Sequence, residues 1–318
     1  MSSRAWRVRL LRRLVSLAAT ALLVTVITFV VLRVLPGDPA RLIVGTEGDP
    51  AAVERIRALL GYDRPLPVQL LDWLGAAARG DLGTSLRYDR PVAELIAGRL
   101  DVTLALTAGA TLLAVLASGP LGIYAATRRG RASDAVAVVF SQVGLSLPSF
   151  WVGMLLILLF AVRLRWLPAA GYVPWDQDPI AWTRSLLLPT LALALPQTAV
   201  LTRQVRSSVL DVLGQDYIRF ARAKGLGERV VLYRHALRNA LIPPLTVLGL
   251  QVGQLLAGSI VVETVFALPG LGQLLLNAIA ARDLPVVQGA VALAAVAVVL
   301  VNFLVDAVYA LIDPRVRS

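Results

Sequence analysis

Long apolar runs alternate with short polar segments along nearly the whole chain. The first run, Leu14 to Leu32, holds 19 residues, enough to cross the hydrocarbon of a bilayer as a helix. The pattern predicts transmembrane helices at residues 14–32, 102–126, 135–162, 186–201, 241–262 and 285–312. The prolines Pro148, Pro189 and Pro196 should break the third helix and kink the fourth. The predicted fold class is an all-α polytopic membrane protein with six transmembrane helices.

A secretory signal peptide also starts with basic residues before an apolar run. Its apolar core is usually about 7–15 residues long and precedes a small-residue cleavage site. Here the first apolar run is longer, and Arg33-Val-Leu-Pro-Gly-Asp38 follows it. We therefore expect an uncleaved first transmembrane helix.

The polar segment 36–99 is too long for a simple connection. It is rich in proline and balanced in charge, with helical spacing at Pro50–Leu60 and Val68–Ala78. We expect a small helical lobe on the outer side, between helices 1 and 2. The predicted division is residues 1–35 for the cytoplasmic N-terminus and first helix, 36–99 for the lobe, and 100–318 for a core with helices 2–6. A cytoplasmic loop at 209–240 lies within that core.

The distribution of charge predicts the orientation in the membrane. A net charge of +11 could indicate nucleic-acid binding, but the basic residues lie mainly in short segments beside apolar runs. The segments assigned to the cytoplasm hold 18 Arg or Lys against 5 Asp or Glu, and the outer segments hold 13 against 14. This asymmetry favours cytoplasmic N- and C-termini, with the lipid membrane and not nucleic acid as the contacting surface.

The residues needed for common catalytic and metal sites are scarce. The chain has no cysteine, and His235 cannot form a zinc or haem site alone. Its one lysine, Lys224, lies between Ala223 and Gly225 and not in the Gly-Lys-Ser/Thr pattern of a phosphate-binding loop. We expect a non-catalytic protein with no metal or cofactor of its own.

Few polar groups interrupt the apolar runs. Gln197, Gln251 and Gln254 are candidates either for interhelical hydrogen bonds or for lining a pathway. Asp306 is expected near the inner interface, paired with an arginine. A proton-coupled transporter usually has carboxylates in mid-membrane, so energy for any transport should come from another subunit.

The most polar stretch between apolar runs, residues 215–243, divides at Gly225 into two short helical patterns. Asp216 is expected to cap a helix at 217–224, and Gly225 to end it in a left-handed conformation. Anchoring to lipid headgroups would explain the arginines but not the compact Ala-x-Ala-Lys-Gly turn. One face of this helix should carry Tyr217, Phe220, Ala221 and Lys224.

Motifs over nearly the whole chain carry a family resemblance. They are residues 214–228 and 234–243, Leu35-Pro-Gly-Asp-Pro39, Gly80-Asp-Leu-Gly-Thr-Ser-Leu86, Leu147-Pro-Ser-Phe-Trp151, Val262-Glu-Thr-Val-Phe266, Pro269-Gly-Leu-Gly272 and Leu311-Ile-Asp-Pro-Arg315. The chain resembles the permeases of binding-protein-dependent ABC importers, closest to the dipeptide/oligopeptide and nickel branch. It is similar to the member of the permease pair with a large outer loop. One departure is Phe220-Ala-Arg222 where the generic pattern has Glu-Ala-Ala.

The resemblance implies an ABC importer permease (MetI-like) fold in the bacterial cytoplasmic (inner) membrane. It implies a second homologous permease, two cytoplasmic ATPase subunits that bind ATP and Mg, and an extracytoplasmic substrate-binding protein. The 36–99 lobe and the 263–284 loop would face the binding protein and the outer gate. The implied ATPase contact comprises Asp216, Tyr217, Phe220, Ala221, Ala223, Lys224, Gly225 and Leu226. The candidate pathway or gate residues are Gln197, Gln251, Gln254, Glu263 and Phe266.

The expected cargo is a di- or oligopeptide, with nickel, glutathione, a sugar or another small solute as alternatives. A more distant alternative is a self-contained secondary transporter or channel dependent on Asp306. A membrane enzyme lacks a candidate nucleophile constellation in this sequence.

Overall fold

The computed structural model describes residues 3–34, 49–59 and 61–312. Every regular element in these ranges is helical, apart from one isolated antiparallel bridge between Thr84 and Pro91. Helices are the expected solution for apolar segments in lipid, because each backbone polar group is bonded within the segment. The predicted all-α class agrees with this architecture.

The described helices are numbered in chain order. Helices α1 to α3 span Ser3–Val34, Pro50–Leu59 and Leu66–Ala77. Helices α4 to α6 span Val92–Thr127, Ala132–Ser146 and Ser149–Leu156, and α6 continues as a π-helix at Ile157–Arg163. Helices α7 to α9 span Pro179–Leu213, Asp216–Ala223 and Glu228–Val230, and α9 continues as a π-helix at Val231–Ala236. Helices α10 to α13 span Leu237–Ala240, Ile242–Val265, Leu271–Ala280 and Leu284–Ile312.

Four described helices are long and apolar enough to cross a membrane: α4, α7, α11 and the Leu284–Leu304 part of α13. Helices α5 and α6, with the π-helix that follows, pass the same test together but are bent by 104°. The apolar part of α1, Ala18–Val34, is shorter. The described chain thus holds four or five candidate spans, and the count of six stays a prediction.

The predicted break in the third apolar run is confirmed. Helix α5 ends at Ser146 and α6 begins at Ser149. Leu147 between them has an extended backbone, with φ −93° and ψ 121°. Pro148 disfavours the helical conformation in the residue before it, which explains why the break falls there.

The described chain forms two compact units. The first contains Val102–Gly272 and the chain from Leu300, and the second contains the chain up to Asp101 and Gln273–Val299. Each unit therefore combines segments that are distant in sequence, whereas the predicted division follows chain order.

Helix α7 is the centre of the first unit. Sixteen of its side chains are buried, among them many small ones. Four glycines of α4, α5 and α6 face it, and a Cβ added at each of the four would lie within 3.5 Å of an α7 atom. The pairs are Gly109 with Thr190, Gly122 with Val205, Gly144 with Ala199, and Gly153 with Ala192. Small residues at these contacts permit close approach of the helix backbones.

In the second unit, a buried carboxylate organises the turn after Gly83. Asp283 accepts hydrogen bonds from the hydroxyl of Ser85 and the backbone N–H groups of Leu86 (3.2 Å) and Arg87 (3.3 Å). These bonds explain part of the Gly80–Leu86 motif, because a buried carboxylate requires several donors. Three predicted features lie wholly or mainly outside the described residues: the Leu35–Pro39 motif, the side chain of Asp306 and the Leu311–Arg315 motif.

Gly122→Val should destabilise the chain, because its Cβ would lie 2.7 Å from the Cβ of Val205 and 2.9 Å from the carbonyl oxygen of Thr202. We expect a loss of about 1–3 kcal/mol, typical of overpacking. Gly119, one turn earlier in α4, faces open space and gives the matched control Gly119→Val. Thermal unfolding in detergent measures both, and equal melting temperatures for the two variants would contradict the packing assignment.

Candidate functional site

Helix α8 begins one residue earlier than predicted. Gln215 occupies the N-cap position, and no side chain caps the first turn, so the prediction of Asp216 as the cap was wrong. Gln215 has an extended backbone and Asp216 is the first helical residue, with its carboxylate 3.4 Å from Arg219 Nη1. A negative charge in the first turn still favours the helix through its dipole.

One side of α8 packs on the chain itself. Ile218 is fully buried and Ala221 is 8% exposed, in a cluster with Val231 and Ala236. Sequence periodicity grouped Ala221 with Tyr217 and Phe220 on one contact face. The structure turns Ala221 inward, because this helix needs an apolar stripe against the segment that follows it.

The other side of α8 is exposed and carries apolar side chains in a highly charged loop. Phe220 is 69% exposed, and Tyr217 and Leu226 are also exposed. Ala223 and Lys224 lie on the exposed surface beside them. Exposed aromatic groups rimmed by charge are typical of protein–protein contact surfaces.

The turn after α8 depends on Gly225. Its φ of +77° lies in the left-handed region, which a side chain disfavours. The Gly225 N–H bonds to the carbonyl of Arg222 (2.9 Å), and the Leu226 N–H to that of Ala221 (3.4 Å). This pair of bonds is a Schellman motif, so the predicted left-handed helix stop is confirmed.

Two side-chain contacts reinforce the turn. Arg222 donates to both carboxylate oxygens of Glu228, at 2.7 and 3.2 Å. This hydrogen bonding lowers the pKa of Glu228 and raises that of Arg222. Asn239 donates to the hydroxyl of Tyr217 at 3.0 Å and connects α8 to α10.

The loop formed by α8 to α10 is continuous with the end of α7. Val212, Leu213 and Leu232 pack against the cluster around Ile218 and also against a second cluster. That second cluster contains Ala126, Val205, Val209, Leu237 and Ala240. The exposed face of α8 is thus held on a packed base and not on a free loop.

The polar pathway candidates are only partly brought together. Gln197 of α7 donates its side-chain amide to the backbone carbonyl of Gln251 in α11, at 3.2 Å. Both glutamines are buried, and their side-chain carbonyl oxygens accept no hydrogen bond within the described chain. Gln254 is exposed. The first two therefore make an interhelical contact, as one of the two predicted roles requires.

Glu263 lies fully buried beneath the Pro269–Gly272 turn. The hydroxyl of Thr103 donates to Glu263 Oε1 (2.7 Å) and accepts from the Leu271 backbone N–H (2.9 Å). A Cβ added at Gly270 would lie 2.5 Å from Oε1, and one at Gly272 would lie 2.9 Å from Oε2. Both glycines therefore make room for the carboxylate.

Phe266 is also part of the interior. It is 1% exposed, and a Cβ added at Gly153 would come within 2.9 Å of its ring. Its carbonyl accepts from the Gly171 N–H at 3.0 Å. Thr103 was not singled out from the sequence, because a threonine in an apolar run gives no sign of a partner 160 positions away.

Comparison with known proteins agrees with this architecture. The family "Binding-protein-dependent transport system inner membrane component" matches residues 118–318, and the N-terminal family of the same system matches residues 7–107. A protein of Brucella abortus (strain 2308), named as a peptide transport system permease, is 46% identical over 97% of this chain and 98% of its own.

The glutathione transport system permease protein GsiC of Salmonella typhimurium is 45% identical over 96% of this chain and 98% of its own. The crystal structure of an amino acid ABC transporter with histidines fits with a TM-score of 0.49 and 18% identity, covering 70% of this chain and 94% of that chain.

The chain belongs to the family of binding-protein-dependent transport system inner membrane components. It is a membrane-embedded permease of an ABC importer, which confirms the resemblance drawn from its motifs.

Thr103→Val should destabilise the chain by about 1–3 kcal/mol, because it removes a hydrogen-bond partner from both the Glu263 carboxylate and the Leu271 N–H. Thr107→Val is the matched control, since the buried Thr107 hydroxyl donates only to the Thr103 carbonyl one turn away. Thermal unfolding in detergent compares the two. A loss no larger for Thr103→Val than for Thr107→Val would contradict the role assigned to the hydroxyl.

Proposed function

We propose that this permease imports short peptides and that the α8 surface docks on a cytoplasmic ATPase subunit. The observation that supports the docking proposal is the exposed apolar face of α8 around Phe220, held on a base buried within the same chain. The relatives of nearly equal length support the cargo proposal, since one is named for peptide transport and one for glutathione.

The surface is built for docking in two respects. Aromatic anchors such as Tyr217 and Phe220 supply most of the binding energy where they enter a partner's pocket. The Gly225 turn and the Arg222–Glu228 pair hold the surface in one conformation. Such preorganisation lowers the entropy that docking must lose.

The remaining subunits of the proposed transporter are those that the family resemblance implies. The permease has six spans with both termini in the cytoplasm, and its 36–99 lobe lies outside. It pairs with a second homologous permease, and an extracytoplasmic binding protein delivers cargo. ATP and Mg are bound by the two ATPase subunits, whose closure moves the spans between inward- and outward-facing states.

Glutathione is the main alternative to di- and oligopeptides as the cargo. Glutathione is itself a tripeptide, so a permease for it would handle the same amide groups with extra charge. The relative named for peptide transport is 46% identical over nearly the whole chain, which supports peptide groups as the cargo chemistry. We therefore place di- and oligopeptides first and glutathione second.

Phe220→Asp should prevent co-purification of the ATPase subunits, because it places a charge at the most exposed apolar position of α8. Phe220→Leu keeps an apolar side chain and should retain them. Ala221→Glu is a poorer test, since Ala221 packs within the chain's own cluster. Retention of ATPase by a folded Phe220→Asp variant would refute the docking surface.

ATP-dependent uptake into proteoliposomes tests the cargo. The complex should be reconstituted with the binding protein of its own system and a labelled dipeptide. We expect unlabelled di- and tripeptides to compete for uptake, and glutathione to compete weakly. Uptake of labelled glutathione with no competition from other peptides would replace the cargo and leave the permease role intact.

A further inference from the structure

A second charged site lies where α5 begins and α7 ends. The carboxylate of Asp134 accepts two hydrogen bonds from Arg206, one from Nε and one from Nη2 at 3.0 Å. Its Oδ2 also accepts the backbone N–H of Gly130 at 3.0 Å. The two residues are 72 positions apart, and we name them the Asp134–Arg206 clasp.

The clasp is largely withdrawn from solvent. The side chain of Asp134 is 9% exposed and that of Arg206 is 23% exposed. Three other ion pairs in the described chain have both side chains more than half exposed, and such pairs contribute little. Breaking a sheltered pair leaves a poorly solvated charge behind, which makes this one consequential.

The arginine of the clasp lies close to the α8 surface along one helix. Arg206 is in the last turns of α7, seven residues before its end at Leu213, and α8 begins at Asp216. Its neighbours Val205 and Val209 pack against Ala126 of α4 and Leu237 of α10. Packed side chains therefore connect the base of α8 to the part of α7 that carries Arg206.

The aspartate of the clasp lies on the bent helix pair. Asp134 is in the first turn of α5, which joins α6 at a bend of 104°. The two arms and α7 line an open apolar groove of about 630 Å³, with residues such as Val139, Leu155 and Leu195 in its wall. The residues that line this groove are all apolar.

Apolar and ionic contacts transmit movement differently. Apolar attraction is non-directional and sets no preferred orientation of its own. A bidentate arginine–carboxylate pair fixes both distance and orientation. The clasp is thus a directional connection between the end of α7 and the start of the bent pair.

We propose that Asp134 and Arg206 are positioning residues that couple movement of the α8 surface to the bent α5–α6 pair. The proposal rests on the proposed docking of α8 on an ATPase. Energetic coupling between distant sites is carried by packed side chains, ion pairs and rigid elements. The clasp is the ion pair that joins α7 to α5 in this network.

The test uses the complete transporter in proteoliposomes and measures cargo imported per ATP hydrolysed. The probe is the labelled dipeptide or labelled glutathione, whichever the wild-type complex imports. Arg206→Ala should lower this ratio by roughly threefold to thirtyfold, the range typical of lost coupling. Arg203→Ala, an exposed arginine one turn earlier in α7, should leave it unchanged.

Charge reversal separates positioning from simple support. Asp134→Arg alone should lower the ratio, and Asp134→Arg with Arg206→Asp should restore it to within about twofold of wild type. Asp134→Asn, which keeps an acceptor for the Gly130 N–H, covers the case in which Arg206→Ala fails to assemble. A normal ratio in the assembled single variants, or no recovery in the reversed pair, would overturn the proposal.

The same experiment distinguishes the two proposals. A loss of uptake in strict proportion to lost assembly would reduce the clasp to a structural role and also overturn it. Phe220→Asp, measured alongside, reports on docking alone. If Phe220→Asp releases the ATPase while Arg206→Ala imports cargo as the wild type does, only the coupling role of the clasp is refuted. If Phe220→Asp retains the ATPase, the docking proposal is refuted.

Discussion

Close packing of small residues against α7 is the constraint on which the first unit depends. In lipid, helices gain nothing from burying apolar surface against each other, so they associate through van der Waals contact and interhelical hydrogen bonds. Glycines of α4, α5 and α6 face Thr190, Ala192, Ala199 and Val205, and at Gly122 and Gly144 an added Cβ would lie within 3.0 Å of an α7 atom. The same helix continues to Leu213 and ends two residues before α8. The element that organises the core therefore also positions the loop on which coupling is proposed to depend.

Buried carboxylates mark the points where this apolar framework needs direction. Glu263 bonds to Thr103 beneath a glycine-containing turn, Asp283 collects donors from Ser85 to Arg87, and Asp134 pairs with Arg206. Each carboxylate is supplied with donors from a distant part of its own unit, as burial of a charge requires. They fix the ends and connections of helices, where apolar contacts alone define no unique arrangement. A fold of this kind gains stability from its helices and specificity from a few such groups.

The loop of α8 to α10 packs on the core with one side and exposes the other. Its inner side, with Ile218 and Ala221, is continuous with the core through Leu213. Its outer side presents Phe220 and Tyr217 to the surroundings. The left-handed turn at Gly225 ends α8 and leads the chain into α9. Shape and exposed aromatic area, more than the charges of the loop, define what it offers to a partner.

The sequence by itself determined the helical class, the break at Pro148, the left-handed stop at Gly225 and the family, because these follow from local backbone chemistry and from motifs. It also determined the lobe helices to within two residues, since amphipathic spacing is local. Only the tertiary structure decided that Ala221 faces inward, that Glu263 and Phe266 are interior, and that Asp134 meets Arg206. Periodicity identifies a stripe of a helix but not the neighbour that covers it, and no local pattern pairs residues 72 or 160 positions apart. Those partners are chosen by packing against α7, which exists only once the chain has folded.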